Sequence, residues 1–249
     1  MRYLIIADMH GNWDALTAVL AAARIQGFEQ VLVLGDLVGY GATPNEIVEE
    51  ISRLDEPWHA IRGNHDKVVA GIDDGLNFNP TALSAARWTS DELTEANLGF
   101  VRDLPQGPMR IEPDLMICHG SLLDEDEYLL AAVDAAESLY SVEDQVTFFG
   151  HTHIPSKFAY REDDGHMEVA VLEGDQVVVN LVPGTKYMLN PGSVGQPRDR
   201  DPRAGYMIYD TEAKQVTLNR LEYPIEQAQD RIRAAGLPDV LADRLSVGI

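Results

Sequence analysis

The amino-acid sequence predicts an α/β fold, and three observations carry that prediction. Short apolar runs alternate with helix-patterned stretches from Tyr3 to Ile61; the alternation resumes near Leu115 after an interruption; and beyond Ile154 strand-like runs follow one another with Gly and Asp turns between them. A chain of 249 residues with 45% apolar content can bury one large core and carry a small insertion. The expectation is one domain spanning 1–249, with no internal repeat or linker to divide it.

Tyr3–Ala7 is a short apolar run, and Asn12–Gln26 follows with Trp13, Leu16, Val19, Leu20 and Ala23 at helical spacing. The strand–helix order repeats with Val31–Leu34 and Pro44–Leu54, where Thr43 and Pro44 read as cap and first-turn residues. Trp58–Ile61 completes a β-α-β-α-β run, which argues for helices covering a largely parallel sheet. The segment 71–103 breaks the order. Its Asp73–Gly75 and Asn77–Pro80 turns precede helical patterns near Thr81–Trp88 and Asp91–Val101, so it reads as a helical insertion or cap. Strand Leu115–Cys118, a helix within Glu127–Tyr140 and strand Gln145–Phe149 restore the alternation. Strands at Lys157–Arg161, Met167–Leu172, Gln176–Val182, Gly205–Tyr209 and Val216–Leu221 then give an antiparallel, β-rich second half, closed by a helix near Ile225–Ala235.

The formal net charge of −22 repels nucleic-acid backbones, and no Lys/Arg-rich stretch offsets it, so polymeric DNA or RNA is not an expected partner. No run of about 18 apolar residues and no signal-like start are present, which predicts a soluble, cytoplasmic protein with no membrane partner. Association of identical chains stays open. The single cysteine, Cys118, has no intrachain partner and lies in an apolar run, where a buried thiol is the expected role.

The chemistry lies just after the strands. They end in Asp8-Met9-His10, Gly35-Asp36, Gly63-Asn64-His65-Asp66, His119-Gly120 and Gly150-His151-Thr152-His153, and every one of these ends carries a metal-competent group. In open α/β sheets ligands bind outside the carboxyl ends of the strands, so the tips can converge on one site. Five of the seven histidines fall in these segments. Residues i and i+2 leaving a strand point to one side, so Asp8 and His10 can share one ion, while His151 and His153 can reach neighbouring ions. Mixed carboxylate, imidazole and amide donors suit Mn, Fe or Zn, with Mn or Fe preferred; four-cysteine zinc chemistry is excluded. Taken singly, each residue has a plainer reading. His119 alone would be a structural histidine, Asn64 a turn former, and the glycines turn residues; the set of blocks in order is what carries the functional reading.

That set resembles the calcineurin-like metallophosphoesterase family over nearly the whole chain. The segment Asn190–Arg198 also resembles a loop of the compact prokaryotic members. The resemblance implies a four-layer α/β/β/α sandwich with two central mixed sheets. It implies that Asp8, His10, Asp36 and His153 hold one divalent ion, and that Asp36 bridges to a second held by Asn64, His119 and His151. Mn or Fe is the expected metal, with Zn, Ni or Mg as substitutes. Two cations held about 3.5–4 Å apart can activate a bridging hydroxide for in-line attack on a small phosphate ester, diester or monoester, with no covalent enzyme intermediate. His65, beside a ligand but not one itself, is the expected proton or hydrogen-bond donor to the phosphate and leaving oxygen.

The protein-phosphatase branch of that family places Asp and Arg after the bridging aspartate, where this chain has Gly39 and Tyr40. Gly39 leaves His65 without that carboxylate, and Tyr40 supplies no guanidinium for a phosphoprotein dianion, which argues against a protein phosphatase. Arg198 is a candidate substitute phosphate contact, against the plainer reading of a surface arginine in a charged turn. A second class of function, a non-catalytic metal-binding or interaction module on the same scaffold, predicts lost ligands or a lost His65. None is missing.

Overall fold

The computed structural model describes residues 1–143 and 145–249. Its first strand, β1 (Arg2–Ile6), is followed by helix α1 (Trp13–Gln26), β2 (Gln30–Val33), α2 (Pro44–Ser52), β3 (Trp58–Ala60) and α3 (Asn64–Val69). The insertion holds α4 (Pro80–Glu92) and α5 (Glu95–Asp103). Next come β4 (Met109–Glu112), β5 (Leu115–Ile117), α6 (Ala132–Ser141) and β6 (Val146–Phe148). The remainder is β7 (Ser156–Arg161), β8 (His166–Val171), β9 (Gln176–Asn180), β10 (Thr185–Asn190), β11 (Ala204–Asp210), β12 (Gln215–Leu221), α7 (Ile225–Ala234) and α8 (Asp239–Asp243).

Two six-stranded sheets result, ordered β3-β2-β1-β11-β12-β9 and β4-β5-β6-β10-β7-β8. Both are mixed. β1, β2 and β3 pair in parallel, but β11 joins β1 antiparallel; in the second sheet β5, β6 and β10 are parallel and β7 joins β10 antiparallel. The largely parallel sheet expected from the first half is therefore corrected: parallel pairing stops at β1, because strands from the second half complete both sheets. Alternation along the strands divides the core. Tyr3 and Ile5 of β1 meet Ile117, Phe148 and Leu189 of the other sheet, whereas Leu4 and Ile6 face Leu16, Val19 and Leu20 of α1. Met116 and Cys118 face Ala135 and Leu139 of α6 on the opposite outside. The order is helix, sheet, sheet, helix, as the four-layer sandwich requires.

The caps are partly as the sequence predicts. Asn12 accepts a hydrogen bond from the Ala15 N–H at 3.2 Å and so caps α1. Pro44 opens α2, but the Thr43 side chain makes no capping bond. Its hydroxyl instead donates to the Gly11 carbonyl at 2.6 Å and accepts from the Trp13 N–H at 3.0 Å, tying the start of α2 to the start of α1. The insertion is not a separate lobe: Ala82, Ala85 and Ala86 of α4 and Val101 of α5 join the same core cluster as α1 and α2. Cys118 is buried and burial pushes its thiol pKa up, as expected of a packing residue.

Candidate metal centre

β1, β2, β3, β5 and β6 all point their carboxyl ends at one place, and the residues just beyond them form two side-chain groups. Asp8, His10, Asp36 and His153 make the first; Asp36, His119 and His151 make the second. Within each group one donor atom per residue lies within 4.8 Å of the others, and every member is buried. Asp36 belongs to both: its Oδ2 is 3.5 Å from His10 Nε2 and 3.5 Å from His119 Nε2. Asn64, the first residue of α3, places its Oδ1 3.2 Å from His119 Nε2. All seven expected ligands are thus brought together.

The route by which they converge differs from the expected strand pleat. Asp8, His10, Asp36, His151 and His153 all have positive φ, between 47° and 65°. The chain leaves β1, β2 and β6 through left-handed turns, a conformation costly for residues with a Cβ. Close packing of backbone on backbone enforces the path. A Cβ at Gly63 would lie 2.1 Å from Asp36 Oδ1, and one at Gly35 would lie 2.6 Å from the Gly63 N. The glycines therefore do more than turn: they let neighbouring strand ends touch.

Main-chain carbonyls fix how the rings present themselves. His10 Nδ1 lies 3.1 Å from the Val38 carbonyl, His153 Nδ1 2.6 Å from that of Gln196, and His119 Nδ1 2.7 Å from that of Leu34. A carbonyl can only accept, so Nδ1 carries a proton in each ring and Nε2 faces inward, as a lone pair in the neutral His10 and His153 rings. His151 is turned over: its Nε2 donates to the Asp126 carbonyl at 3.0 Å, leaving Nδ1 as the donor atom. His10 and His153 bring their Nε2 atoms to 3.1 Å of each other, and Asp8 Oδ2 is buried with no hydrogen-bond partner. Two inward lone pairs and an orphaned carboxylate oxygen at one point are unfavourable unless a cation receives them. The residues present fit a divalent ion.

The electrostatics agree. Burial holds His10, His65, His151 and His153 well below the ordinary histidine range, His65 at about 4 and His151 at about 3, so the rings are neutral at pH 7. Burial likewise raises Asp8 to about 8, with Asp36 adding repulsion. Burial alone would lower His119, but the Asp36 carboxylate reverses that and lifts it to about 10. In the metal-free chain protons on Asp8 and His119 offset charge that a cation would otherwise neutralise.

His65 stands beside the two groups. Its backbone N–H donates to Asp36 Oδ1 at 2.8 Å, while its ring packs against Tyr40 at 4.3 Å, Phe78 at 4.4 Å and His10 at 4.8 Å between centroids. Its Nδ1 is buried without a partner, in keeping with the missing carboxylate at Gly39. Gly39 is itself required, since a Cβ there would lie 2.6 Å from that nitrogen. Arg198 also reaches the site: its Nη2 is 3.5 Å from the Tyr40 hydroxyl and 3.2 Å from Gln196 Oε1.

Several contributors escaped sequence reasoning. Phe78 comes from the insertion and Tyr128 packs on His151 with centroids 3.9 Å apart. Neither carries a local sequence signal. Asn190, the last residue of β10, opens the Asn190–Arg198 segment that the family resemblance singles out, and that is its one signal. Its amide donates to the Gly150 carbonyl at 2.6 Å and Thr152 Oγ1 at 3.1 Å, bracketing the turn that carries His151 and His153.

The model of the calcineurin-like phosphoesterase superfamily domain matches residues 1–214. An uncharacterised protein of Methanocaldococcus jannaschii is 34% identical over 98% of this chain and 97% of its own length. A metallophosphoesterase of Sphaerobacter thermophilus of known crystal structure is 39% identical, covers 100% of this chain and 99% of its own, and superposes with a TM-score of 0.86. A symmetrical bis(5'-nucleosyl)-tetraphosphatase of Vibrio vulnificus is 27% identical, over 55% of this chain and 51% of the relative. The two-sheet fold, the strand-end histidines and aspartates, and the match over most of the sequence lead to one assignment: the chain belongs to the calcineurin-like phosphoesterase superfamily.

Proposed function

We propose that the chain is a single-domain, cytoplasmic hydrolase of small phosphate esters that works with two divalent ions, Mn or Fe, held one by each side-chain group. The observation that carries this reading is that the two groups share Asp36 and have His65 beside them. Asp8, His10, Asp36 and His153 would hold one ion, and Asp36, Asn64, His119 and His151 the other. Such ions, when bound, polarise a phosphoryl oxygen and lower the pKa of water.

The side chains supply the rest. Nδ1 of His65 has no acceptor, and an unsatisfied buried N–H is costlier than an unsatisfied lone pair. In the neutral ring the proton therefore resides on Nε2, where it can hydrogen-bond the leaving oxygen; only the doubly protonated ring can give a proton to it. An anionic phosphate beside the ring raises its proton affinity from the low value that burial imposes. Phe78 and Tyr40 exclude water from that ring. The tetraphosphatase relatives, which match about half of the chain, add dinucleoside polyphosphates to the esters worth testing.

The test is a screen of phosphate esters with Mn, Mg, Ni and Zn, paired with elemental analysis. Mn-loaded protein is expected to cleave a chromogenic phosphodiester or monoester. His65→Ala should lower turnover by about 10²–10⁴, the usual contribution of a positioned acid, with metal content nearly unchanged. Two bound ions and no turnover on any ester would refute the catalytic reading and favour the interaction-module alternative.

A further inference from the structure

Tyr40 occupies the place where the protein-phosphatase branch carries an arginine, yet guanidinium groups reach that place from elsewhere in the chain. Arg198 and Arg244 each hold their guanidinium carbon 5.9 Å from the centre of the Tyr40 ring. Arg198 comes from the loop after β10, and Arg244 from the turn that follows α8. The two are close enough to repel one another, and Arg198 forms no ion pair with a carboxylate among the described residues. Arg198 Nε is buried with no hydrogen-bond partner; Arg244 Nε donates only to the Ile249 main-chain oxygen. In a chain of net charge −22, other arginines nearby are neutralised: Arg203 by Asp201 and Asp175, and Arg220 by Asp199.

Two guanidiniums that repel one another across one ring, one of them with a buried Nε left without a partner, are a cost unless an anion joins them. Tyr40 makes that convergence possible. Its ring is buried and held at φ 60°, a strained conformation for an aromatic residue, and it packs on both His65 and His10. The guanidiniums therefore stand one ring's width from the candidate acid and from the first ligand group. Arg198 is also near enough to act electrostatically on Asp8, His10, His65, His151 and His153.

We propose that Arg198 and Arg244, set around Tyr40, form a second anion subsite that takes a phosphate of the substrate not held by the metal centre. The substrate class is then a phosphoanhydride-containing ester, with at least two linked phosphates, in preference to a simple diester or monoester. The inference rests on the proposed metal centre receiving the first phosphate. Hydrolysis of such a substrate adds the oxygen of one water to phosphorus and breaks the bridging P–O bond. The departing phosphate leaves with the electron pair and one proton.

The probes are methylphosphonate and methylenediphosphonate, which carry one and two non-hydrolysed phosphorus centres, titrated by calorimetry into Mn-loaded protein with Mn in excess. The wild type should bind the diphosphonate more tightly by tenfold or more. Arg244→Gln and Arg198→Gln should each shrink that margin about tenfold, the loss expected for one charge-assisted contact. If the margin is absent in the wild type, or unchanged in both variants at wild-type melting temperature, the subsite does not exist. If both ligands weaken equally, the arginines serve the metal-centred phosphate and the second subsite is refuted. Wild-type turnover of bis(4-nitrophenyl) phosphate, measured alongside, reports on the metal-centred reading separately.

Discussion

Gly39→Ala isolates the role of His65 without touching a proposed ligand. Gly39 has φ 90°, and an added Cβ would lie 2.6 Å from His65 Nδ1 and 3.1 and 3.2 Å from its Cγ and Cβ. The contacted atoms include the root of the side chain, so the ring cannot swing clear at its tip. Phe78 at 4.4 Å and Tyr40 at 4.3 Å block its retreat. The backbone conformation alone should cost about 1–3 kcal/mol. For a chain of this size that is a fall of roughly 2–12 °C in melting temperature. Displacement of His65 removes up to the 10²–10⁴ of rate that a placed acid supplies. The assay is turnover of a chromogenic diester by Mn-loaded protein, with melting temperature and metal content on the same samples. Lower stability with full turnover would refute the catalytic assignment of His65. Loss of metal would show that Gly39 acts through the first ligand group instead.

Three further outcomes follow from the packing around the centre. Asn190→Ala removes donors to Gly150 and Thr152 and an acceptor for the Gly192 N–H, all buried, and should cost roughly 2–4 kcal/mol together with metal affinity, as read by chemical denaturation and metal titration. Lys67 pairs with Glu125 and Asp126 and so steadies the loop whose Asp126 carbonyl orients His151; Lys67→Met should weaken one of two bound ions about 10–100-fold and leave the other, as separate steps in a metal titration. The metal-free protein should lose stability as pH rises from 6.5 to 8. Asp8 at about 8 and His119 at about 10 are both raised in the folded state, and the depressed His10, His65, His151 and His153 oppose them mainly near pH 6.5, so the folded state binds more protons than the unfolded chain over most of this window. The slope is of order 1 kcal/mol per pH unit, and bound metal, which displaces those protons, should remove it; equal melting curves at both pH values without metal would contradict the assignment.

The clustering of the candidate ligands was legible because each follows a run of apolar residues, and the fold needs only strand direction to gather such positions at one sheet end. Element identity followed where the period was long, as in α1. It failed where the signal was short or split. β10 (Thr185–Asn190) opens with the polar pair Thr185-Lys186, and its apolar half runs straight into the Asn190-Pro191-Gly192 turn, so no strand pattern stands out there. β4 (Met109–Glu112) lies at a sheet edge with alternate residues exposed, and α3 is only six residues long. Because β10 links β6 to β7, the strand order of the second sheet could not be read from the local pattern, although the family resemblance implied two mixed sheets. The clustering of Arg244 with Tyr40 was out of reach for another reason: it depends on how the chain's last helical turns fold back on the sheet, which no local pattern encodes.

The left-handed conformations show how such a site is maintained. Asp8, His10, Asp36, Tyr40, His151 and His153 would each cost about 1–3 kcal/mol in isolation. Their backbone groups are held on several sides. The Asp8 N–H donates to the Gly35 carbonyl at 3.1 Å, the His10 N–H to Asp36 at 3.0 Å and the His151 N–H to Asp8 Oδ1 at 3.2 Å, so each strand end is fixed by the next. The strain is therefore shared by a closed set of contacts anchored in strands buried on both faces, such as β1. A local change such as Gly63→Ala cannot be absorbed there, because its Cβ would strike both the side chain and the backbone of Asp36, the residue common to both ligand groups. The side chains are preorganised for a divalent ion: carbonyls already orient the histidine rings and glycines set the approach of the strands, so binding of one would require displacement of protons and little rearrangement of the chain.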